Sequence, residues 1–173
     1  LQSNPDVVID GLTITGGHTS GTVQAGAAFR STGNLQILNS VVTNNRTTGA
    51  QSDAGGIFQG ASGTLTISNS TISNNTTATD LSFGAGISSF GDVIVTNSLI
   101  DSNSTAGANS VGGGLFVRSA DLTITDSTVS NNITTGGASG GGIIVANGNL
   151  LVMGSTVSGN SASGQAGGIG FDS

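Results

Sequence analysis

The stretch LTISNSTISNN, residues 65–75, decides the fold. Apolar and polar side chains alternate along it, so that Leu65 and Ile67 fall on one side and Thr66 on the other. After a turn at an Asn-Ser pair, Ile72 returns to the apolar side. A period of two predicts half-buried β-strands, and the segments are too short and too rich in β-branched residues for helices.

This pattern recurs along the chain. Full copies read LQILNSVVTNN from Leu35, VIVTNSLIDSN from Val93, LTITDSTVSNN from Leu122 and LLVMGSTVSGN from Leu150, and a degenerate copy, VVIDGLTITGG, begins at Val7. A Gly-rich element that ends in Ile or Leu follows each full copy, at residues 55–57, 84–87, 112–115, 140–143 and 167–169, and residues 26–28 take its place in the first copy. Repeats of this length indicate a solenoid.

One copy cannot bury its apolar side alone, so the copies must stack as parallel strands about 4.8 Å apart. Equivalent residues then form three apolar columns, one per strand: Ile37, Ile67, Val95, Ile124 and Val152; Val42, Ile72, Ile100, Val129 and Val157; Ile57, Ile87, Leu115, Ile143 and Ile169. Parallel crossovers are nearly always right-handed.

The sequence therefore predicts an all-β fold, a right-handed parallel β-helix (solenoid) with three strands per coil. We expect about six coils of 28–30 residues in a single domain spanning residues 1–173, with coils that start near residues 7, 35, 65, 93, 122 and 150.

An Asn recurs where the second strand of each full copy ends: Asn45, Asn75, Asn103, Asn132 and Asn160. We expect these side chains to stack as an amide ladder along the axis. We also expect them to adopt the left-handed backbone of a tight corner. The Gly pairs are expected to give the next corner its unusual backbone angles.

Charge excludes several kinds of partner. Nine Asp against three Arg leave a net charge of −6, without the basic stripe that nucleic acid or an anionic membrane surface requires. No apolar run approaches the roughly 18 residues of a membrane-spanning helix, so we expect no membrane insertion. The chain begins at Leu1 without a signal peptide, and we expect a mature piece or a segment of a longer protein.

The element Ile/Val-x-x-Asn, followed by GlyGly-x-Ile, resembles the repeats of bacterial surface-displayed β-helix proteins. It occurs from Val42 to Asn45 and at the four equivalent positions. Such proteins include the polymorphic outer-membrane proteins and other autotransporter-like passengers. The resemblance implies an adhesin-like protein that is extracellular or displayed on a bacterial cell surface.

A regular core and a plain surface predict a non-catalytic extracellular structural or adhesive module rather than an enzyme. Asp92 and Asp121 precede the first strand of successive coils and should stack, either as part of a polar ladder or as a weak cation site. Asp172, in GGIGFD, is a second weak candidate for Ca²⁺, and we expect no other cofactor. His18 and the elbow-like motif at residues 137–141 lack catalytic partners or context.

Two alternatives remain open. One is a polysaccharide-binding or polysaccharide-degrading β-helix, against which the sequence offers no Lys, no Glu and no aromatic platform for a sugar ring. The other is an ice-binding protein that uses hydroxyl ranks on the outer face of the second strand. The candidate flat face comprises Thr13, Thr15, Thr43, Thr71, Ser73, Thr128, Ser130, Thr156 and Ser158.

Neither end of the repeat array carries a cap, although open coil edges invite pairing. We expect both ends to pack against other copies of the chain, as in an end-to-end fibre, or against flanking coils of a longer chain. The sequence does not indicate which ligand the protein binds.

Overall fold

The computed structural model describes residues 6–137 and 139–172, and for Asp172 the backbone alone. Within these residues the chain forms strands and turns without a helix, and no segment meets the length and apolarity of a membrane-crossing helix. The chain winds through six coils, and strands of successive coils pair in parallel. The predicted parallel β-helix is confirmed.

The first two sheets are made by the two strands of the LTISNSTISNN repeat. In the first sheet the strands are β1 (Asp6–Asp10), β5 (Asn34–Leu38), β9 (Leu65–Ser68), β13 (Val93–Thr96), β17 (Leu122–Thr125) and β21 (Leu150–Met153). In the second they are β2 (Thr13–Thr15), β6 (Val41–Thr43), β10 (Thr71–Ser73), β14 (Leu99–Asp101), β18 (Thr128–Ser130) and β22 (Thr156–Ser158).

A third sheet shows that the prediction of three strands per coil was wrong, because each coil has four. Its strands are β3 (His18–Thr19), β7 (Arg46–Thr47), β11 (Thr76–Thr77), β15 (Ser104–Thr105), β19 (Ile133–Thr134) and β23 (Ser161–Ala162). Two residues are too few to show a period, and the inward residue is Thr in five coils and Ala in the sixth. The usual apolar signal is therefore missing.

The Gly-rich elements lead into the fourth sheet, which closes each coil. Its strands are β4 (Phe29–Ser31), β8 (Ile57–Gln59), β12 (Ile87–Ser89), β16 (Leu115–Arg118), β20 (Ile143–Ala146) and β24 (Ile169–Asp172). Isolated parallel bridges join Ala25 to Asp53 and Phe83 to Val111 in the segments before these strands.

The three predicted apolar columns form the core. Register pairs Ile67 with Val95, Ile72 with Ile100, and Ile57 with Ile87. The column members of coils two to five are fully buried, and residues of coils one and six pack against them while staying partly exposed. Close-packed columns of this kind supply most of the free energy that holds the coils together.

The left-handed corner residue lies one place before the predicted Asn. Positive φ occurs at Asn44, Asn74, Ser102, Asn131 and Gly159, whereas the ladder Asn residues are free of it. The expectation of a left-handed ladder Asn was therefore wrong. The side-chain amide of each ladder Asn must point along the axis to reach the Asn of the next coil. The residue before it therefore adopts the left-handed conformation that turns the chain.

The Gly pairs are required by close approach more than by backbone angle. A Cβ on Gly86 would lie 2.6 Å from the carbonyl oxygen of Gly114 and 3.0 Å from the amide of Asn103. Positive φ occurs instead two residues before the close-packed glycine, at Gly84 before Gly86 and at Gly112 before Gly114. The glycines thus let the fourth-sheet corner pack directly on the Asn ladder.

Candidate functional site

The Asn ladder runs from the second coil to the last. The side-chain Nδ2 of each Asn donates to Oδ1 of the next, at 2.9 Å from Asn45 to Asn75 and at 2.9 to 3.0 Å along the rest. The same Oδ1 also accepts the backbone N–H of the preceding Asn. Four of the five side chains are fully buried and Asn160 is partly exposed. Because these amides bond one another, the ladder holds the coils in register.

A second ladder, of serines, was missed by the sequence analysis. At the corner between the first and second sheets each Ser Oγ accepts the backbone N–H of the equivalent residue one coil earlier, at 3.0 to 3.1 Å, and this residue is Leu12 for Ser40 and a Ser for the others. Each also donates to the carbonyl two residues before it, at 2.6 to 2.7 Å. Its members are Ser40, Ser70, Ser98, Ser127 and Ser155. The signal was present, because Ser follows Asn, Asp or Gly at this position in every full copy.

The structure places all nine candidate hydroxyl residues on the second sheet, but not as a uniform array. Those of the first and last coils are exposed, whereas Ser73 and Ser130 are only 9% and 8% exposed. Ser73 Oγ donates to Thr43 Oγ1 at 3.2 Å, and Ser130 Oγ donates to Asp101 at 2.6 Å. Leu99 and Asp101 interrupt the face.

Asp101 is the most strongly hydrogen-bonded carboxylate on this face. It accepts from Ser102 Oγ at 2.7 Å, from Ser130 Oγ at 2.6 Å and from Asn131 Nδ2 at 2.9 Å. Desolvation raises the pKa of Asp101, but these three hydrogen bonds outweigh it and the pKa is lowered from its ordinary value. The Asp101 carboxylate therefore stabilises the second sheet and the turn that follows it through these hydrogen bonds.

The structure places Asp92 and Asp121 in one exposed column. The backbone N–H of Asp121 donates to Asp92 Oδ1 at 3.0 Å, and Asn149 Nδ2 donates to Asp121 Oδ1 at 2.9 Å. Across residues 6–137 and 139–172, no three His, Cys, Asp or Glu side chains come together as a metal site. The side chain of Asp172 lies outside the described residues.

The structure gives His18 and the elbow-like motif at residues 137–141 ordinary structural surroundings. His18 is exposed, and its Nε2 lies 3.0 Å from Thr48 Oγ1. The elbow-like motif includes Ala138, outside the described residues, and Ser139 leads into the fourth sheet rather than into a helix. The strand-turn-helix context of a nucleophile elbow is thus missing.

A cleft of about 250 Å³ lies at the corner between the fourth and first sheets. Between register-paired positions, this corner spans residues 60–64 at the end of the second coil, 90–92 at the end of the third and 118–121 at the end of the fourth. The corner that closes the third coil is therefore the shortest of these three and lies between two longer ones. Phe90 and Asp92 line the cleft, together with polar groups from Asn34, Thr64 and Ser119.

Phe90 is held in place by a second aromatic ring. The Phe58 and Phe90 ring centroids are 5.9 Å apart with planes tilted by 56°, an arrangement that aromatic pairs favour. The Arg30 guanidinium carbon lies 5.8 Å from the Phe58 centroid on the far side of the pair along the stack, within cation–π range. The sequence analysis missed this aromatic surface because the two residues are 32 positions apart and sit at different places in their coils.

Among the acids whose side chains the structure describes, only Asp53 has a pKa that burial shifts strongly. It precedes the fourth sheet, and its Oδ1 accepts the backbone N–H of Phe83 at 3.0 Å. Burial raises the pKa of Asp53 to about 6 despite that hydrogen bond. Asp53 is not among the residues that line the cleft, and its hydrogen bond from Phe83 joins two successive coils.

A search among protein families gives one decisive match. The model of the right-handed β-helix region matches residues 1–171. The chain belongs to this family. No curated protein and no solved structure matches it. Membership establishes a right-handed β-helix repeat protein, and because folds host many functions, the function must be argued from the surface.

Proposed function

We propose that the chain is a non-catalytic structural or adhesive module that works outside the cell, on a bacterial surface or as a secreted protein. The observation that carries the proposal is the pair of side-chain ladders, Asn and Ser, that span most of the coils. The Asn and Ser residues of these two ladders form hydrogen bonds that join one coil to the next. Such a chain is built as a regular rod that presents a surface.

The outer surface supports the same proposal. Its carboxylates are spread along the rod: Asp101 is bonded within the second sheet, and Asp92 and Asp121 belong to a column at another corner. A glycosidase needs two carboxylates facing each other across one sugar linkage. The resemblance to bacterial surface β-helix repeats supports the location outside the cell.

The proposal is tested by asking whether the protein cuts polysaccharide. Purified protein is incubated with neutral glucans, xylan, mannan and polygalacturonate, with and without Ca²⁺, and new reducing ends and unsaturated products are measured. We expect no product above that of heat-denatured protein. Product formation that disappears in Asp92→Asn would overturn the non-catalytic role. Protease treatment of intact source cells tests the location, since a chain inside the cell stays protected.

A further inference from the structure

An Asn-Gly pair lies at the corner between β20 and β21, where the fifth coil ends. Asn147 and Gly148 are both exposed, and Asn147 has a left-handed backbone with a φ of 55°. Among the residues that the structure describes, neither of the two forms a hydrogen bond. A free side-chain amide therefore lies next to a free backbone N–H.

These two groups can react with each other. The backbone nitrogen of Gly148 attacks Cγ of Asn147, the N–Cγ bond forms, the Cγ–Nδ2 bond breaks, and ammonia leaves with the proton of the N–H. The product is a five-membered succinimide, which water opens. Breaking the new N–Cγ bond gives an aspartyl residue, and breaking the bond from nitrogen to the backbone carbonyl carbon gives an isoaspartyl link. Asn is one of the thermolabile residue types for this reason.

The residue at position 148 favours the attack. Glycine has no Cβ to shield its backbone nitrogen. The structure also requires glycine there, because a Cβ would collide with the carbonyl oxygen of Ala120. The packing of this corner thus fixes the residue type that leaves the neighbouring Asn most open to attack.

Other exposed Asn residues with a left-handed backbone lie beside a bonded N–H. In six of them the N–H of the following residue donates to a Ser or Asn side chain of the next ladder rung, at 2.9 to 3.1 Å. These six are Asn39, Asn44, Asn69, Asn74, Asn97 and Asn131. The attacking nitrogen must leave its hydrogen bond before it can reach the side chain, so the two ladders oppose the reaction at these sites.

The free N–H belongs to the corner between the fourth and first sheets. Ala120 holds the position equivalent to Gly148 one coil earlier, and within the described part of the chain its N–H also donates no hydrogen bond. The Ser ladder follows the corner between the first and second sheets, and the Asn ladder follows the end of the second sheet. Neither ladder supplies an acceptor at Gly148.

We propose that Asn147 is a site of spontaneous deamidation through attack by Gly148, and that the Asn and Ser ladders protect the six Asn residues named above. The modification adds one negative charge to a chain whose net charge is −6. Its isoaspartyl form also lengthens the main chain by one carbon between β20 and β21. The inference goes beyond the scaffold role and does not depend on it.

The test compares each site with itself in the folded protein and in guanidinium chloride. Both samples are incubated in mildly alkaline buffer at one temperature, and peptide mapping by mass spectrometry follows deamidation at each Asn. We expect Asn147 to react at a similar rate in both states. Folding should slow Asn69 and Asn97 by about tenfold, which corresponds to about 1.4 kcal/mol, the scale of one hydrogen bond.

Two variants separate the site from the ladders. Asn147→Gly tolerates the left-handed backbone but has no side-chain amide, so it should abolish the early acidic species seen by ion exchange. Ser98→Ala removes the acceptor of the Ser70 N–H, so deamidation of Asn69 in the folded protein should rise by about tenfold. Asn39 is the internal control, because the N–H that follows it keeps its Ser70 acceptor.

The site would be overturned if Asn147 stayed intact in the folded protein while it reacted in the unfolded one. The protective role of the ladders would be overturned if Asn69 and Asn97 reacted equally fast in both states, a comparison that needs no variant. An unchanged rate at Asn69 in folded Ser98→Ala would also contradict it. The polysaccharide-cleavage assay tests the scaffold role separately.

Discussion

The fourth and sixth coils carry the same residue at one core position and one ladder position, and bury these residues very differently. Val95 and Val152 belong to the same core column, yet Val95 is fully buried and Val152 is partly exposed. Asn103 and Asn160 differ in the same way within the ladder. The difference is that β13 pairs with strands on both sides, whereas β21 pairs with β17 alone. Burial in this molecule is therefore conferred by neighbouring coils rather than by residue type.

The outer coils show the consequence on the surface. Val7 is 40% exposed in the first coil and Phe171 is 64% exposed in the last, while equivalent strands inside the rod are covered. The expectation that further copies or flanking coils pack against these coils stays a prediction. The central and outer coils nevertheless offer matched positions at which to test what a neighbour contributes.

The largest difference is expected in the Asn ladder. Asn103→Ala leaves the backbone N–H and Nδ2 of Asn75 without their acceptor in a fully buried place, and unpaired buried groups each cost about 1–3 kcal/mol. We expect the free energy of unfolding to fall by about 3–5 kcal/mol. Asn160→Ala should cost only about 1–2 kcal/mol, because water can reach the partly exposed site. Urea unfolding followed by circular dichroism measures both, and equal losses would contradict the role of the neighbouring coil.

A smaller difference is expected in the apolar column. Val95→Ala removes two fully buried methyl groups and should lower the free energy of unfolding by about 2–3 kcal/mol, from lost transfer free energy and a cavity. Val152→Ala makes the identical change where one side is already open, and should cost about 1 kcal/mol. The same urea series measures them. A loss at Val152 as large as that at Val95 would mean that the sixth coil is covered in solution.

The smallest effect concerns Asp53 and depends on pH. The pKa of Asp53 rises from 3.8 unfolded to about 6 folded, so the fold favours the protonated acid. Its contribution to stability is fully present below about pH 4 and is lost as pH rises through about 6. Asp53→Asn removes this loss. The variant should match the original chain below about pH 4 and exceed it by about 2 kcal/mol above about pH 6.5.

The control for this prediction is Asp126→Asn, which changes an exposed acid. Its stability difference from the original chain should stay flat over the same pH range. The measurement is the free energy of unfolding of each variant and of the original chain at the same pH. If the stability gained by Asp53→Asn did not grow with pH, Asp53 would be solvated in the folded protein.

The repeat LTISNSTISNN was enough to predict the parallel β-helix, the three apolar columns and the position of the Asn residues. Period-two alternation assigns each side chain to the inside or the outside, and a constant repeat places equivalent residues one above another. The Ser ladder could have been predicted in the same way, since its residue recurs in every full copy.

The tertiary structure alone decided the remaining features. The two-residue strands of the third sheet are too short to carry a period, and their inward Thr residues give no apolar signal. Asp53 is buried by a segment of the next coil, and Phe58 meets Phe90 across two coils. The cleft exists because three successive corners differ in length and lie side by side once their strands are in register. These features depend on which surfaces meet when the coils stack, and a pattern within one repeat does not contain that information.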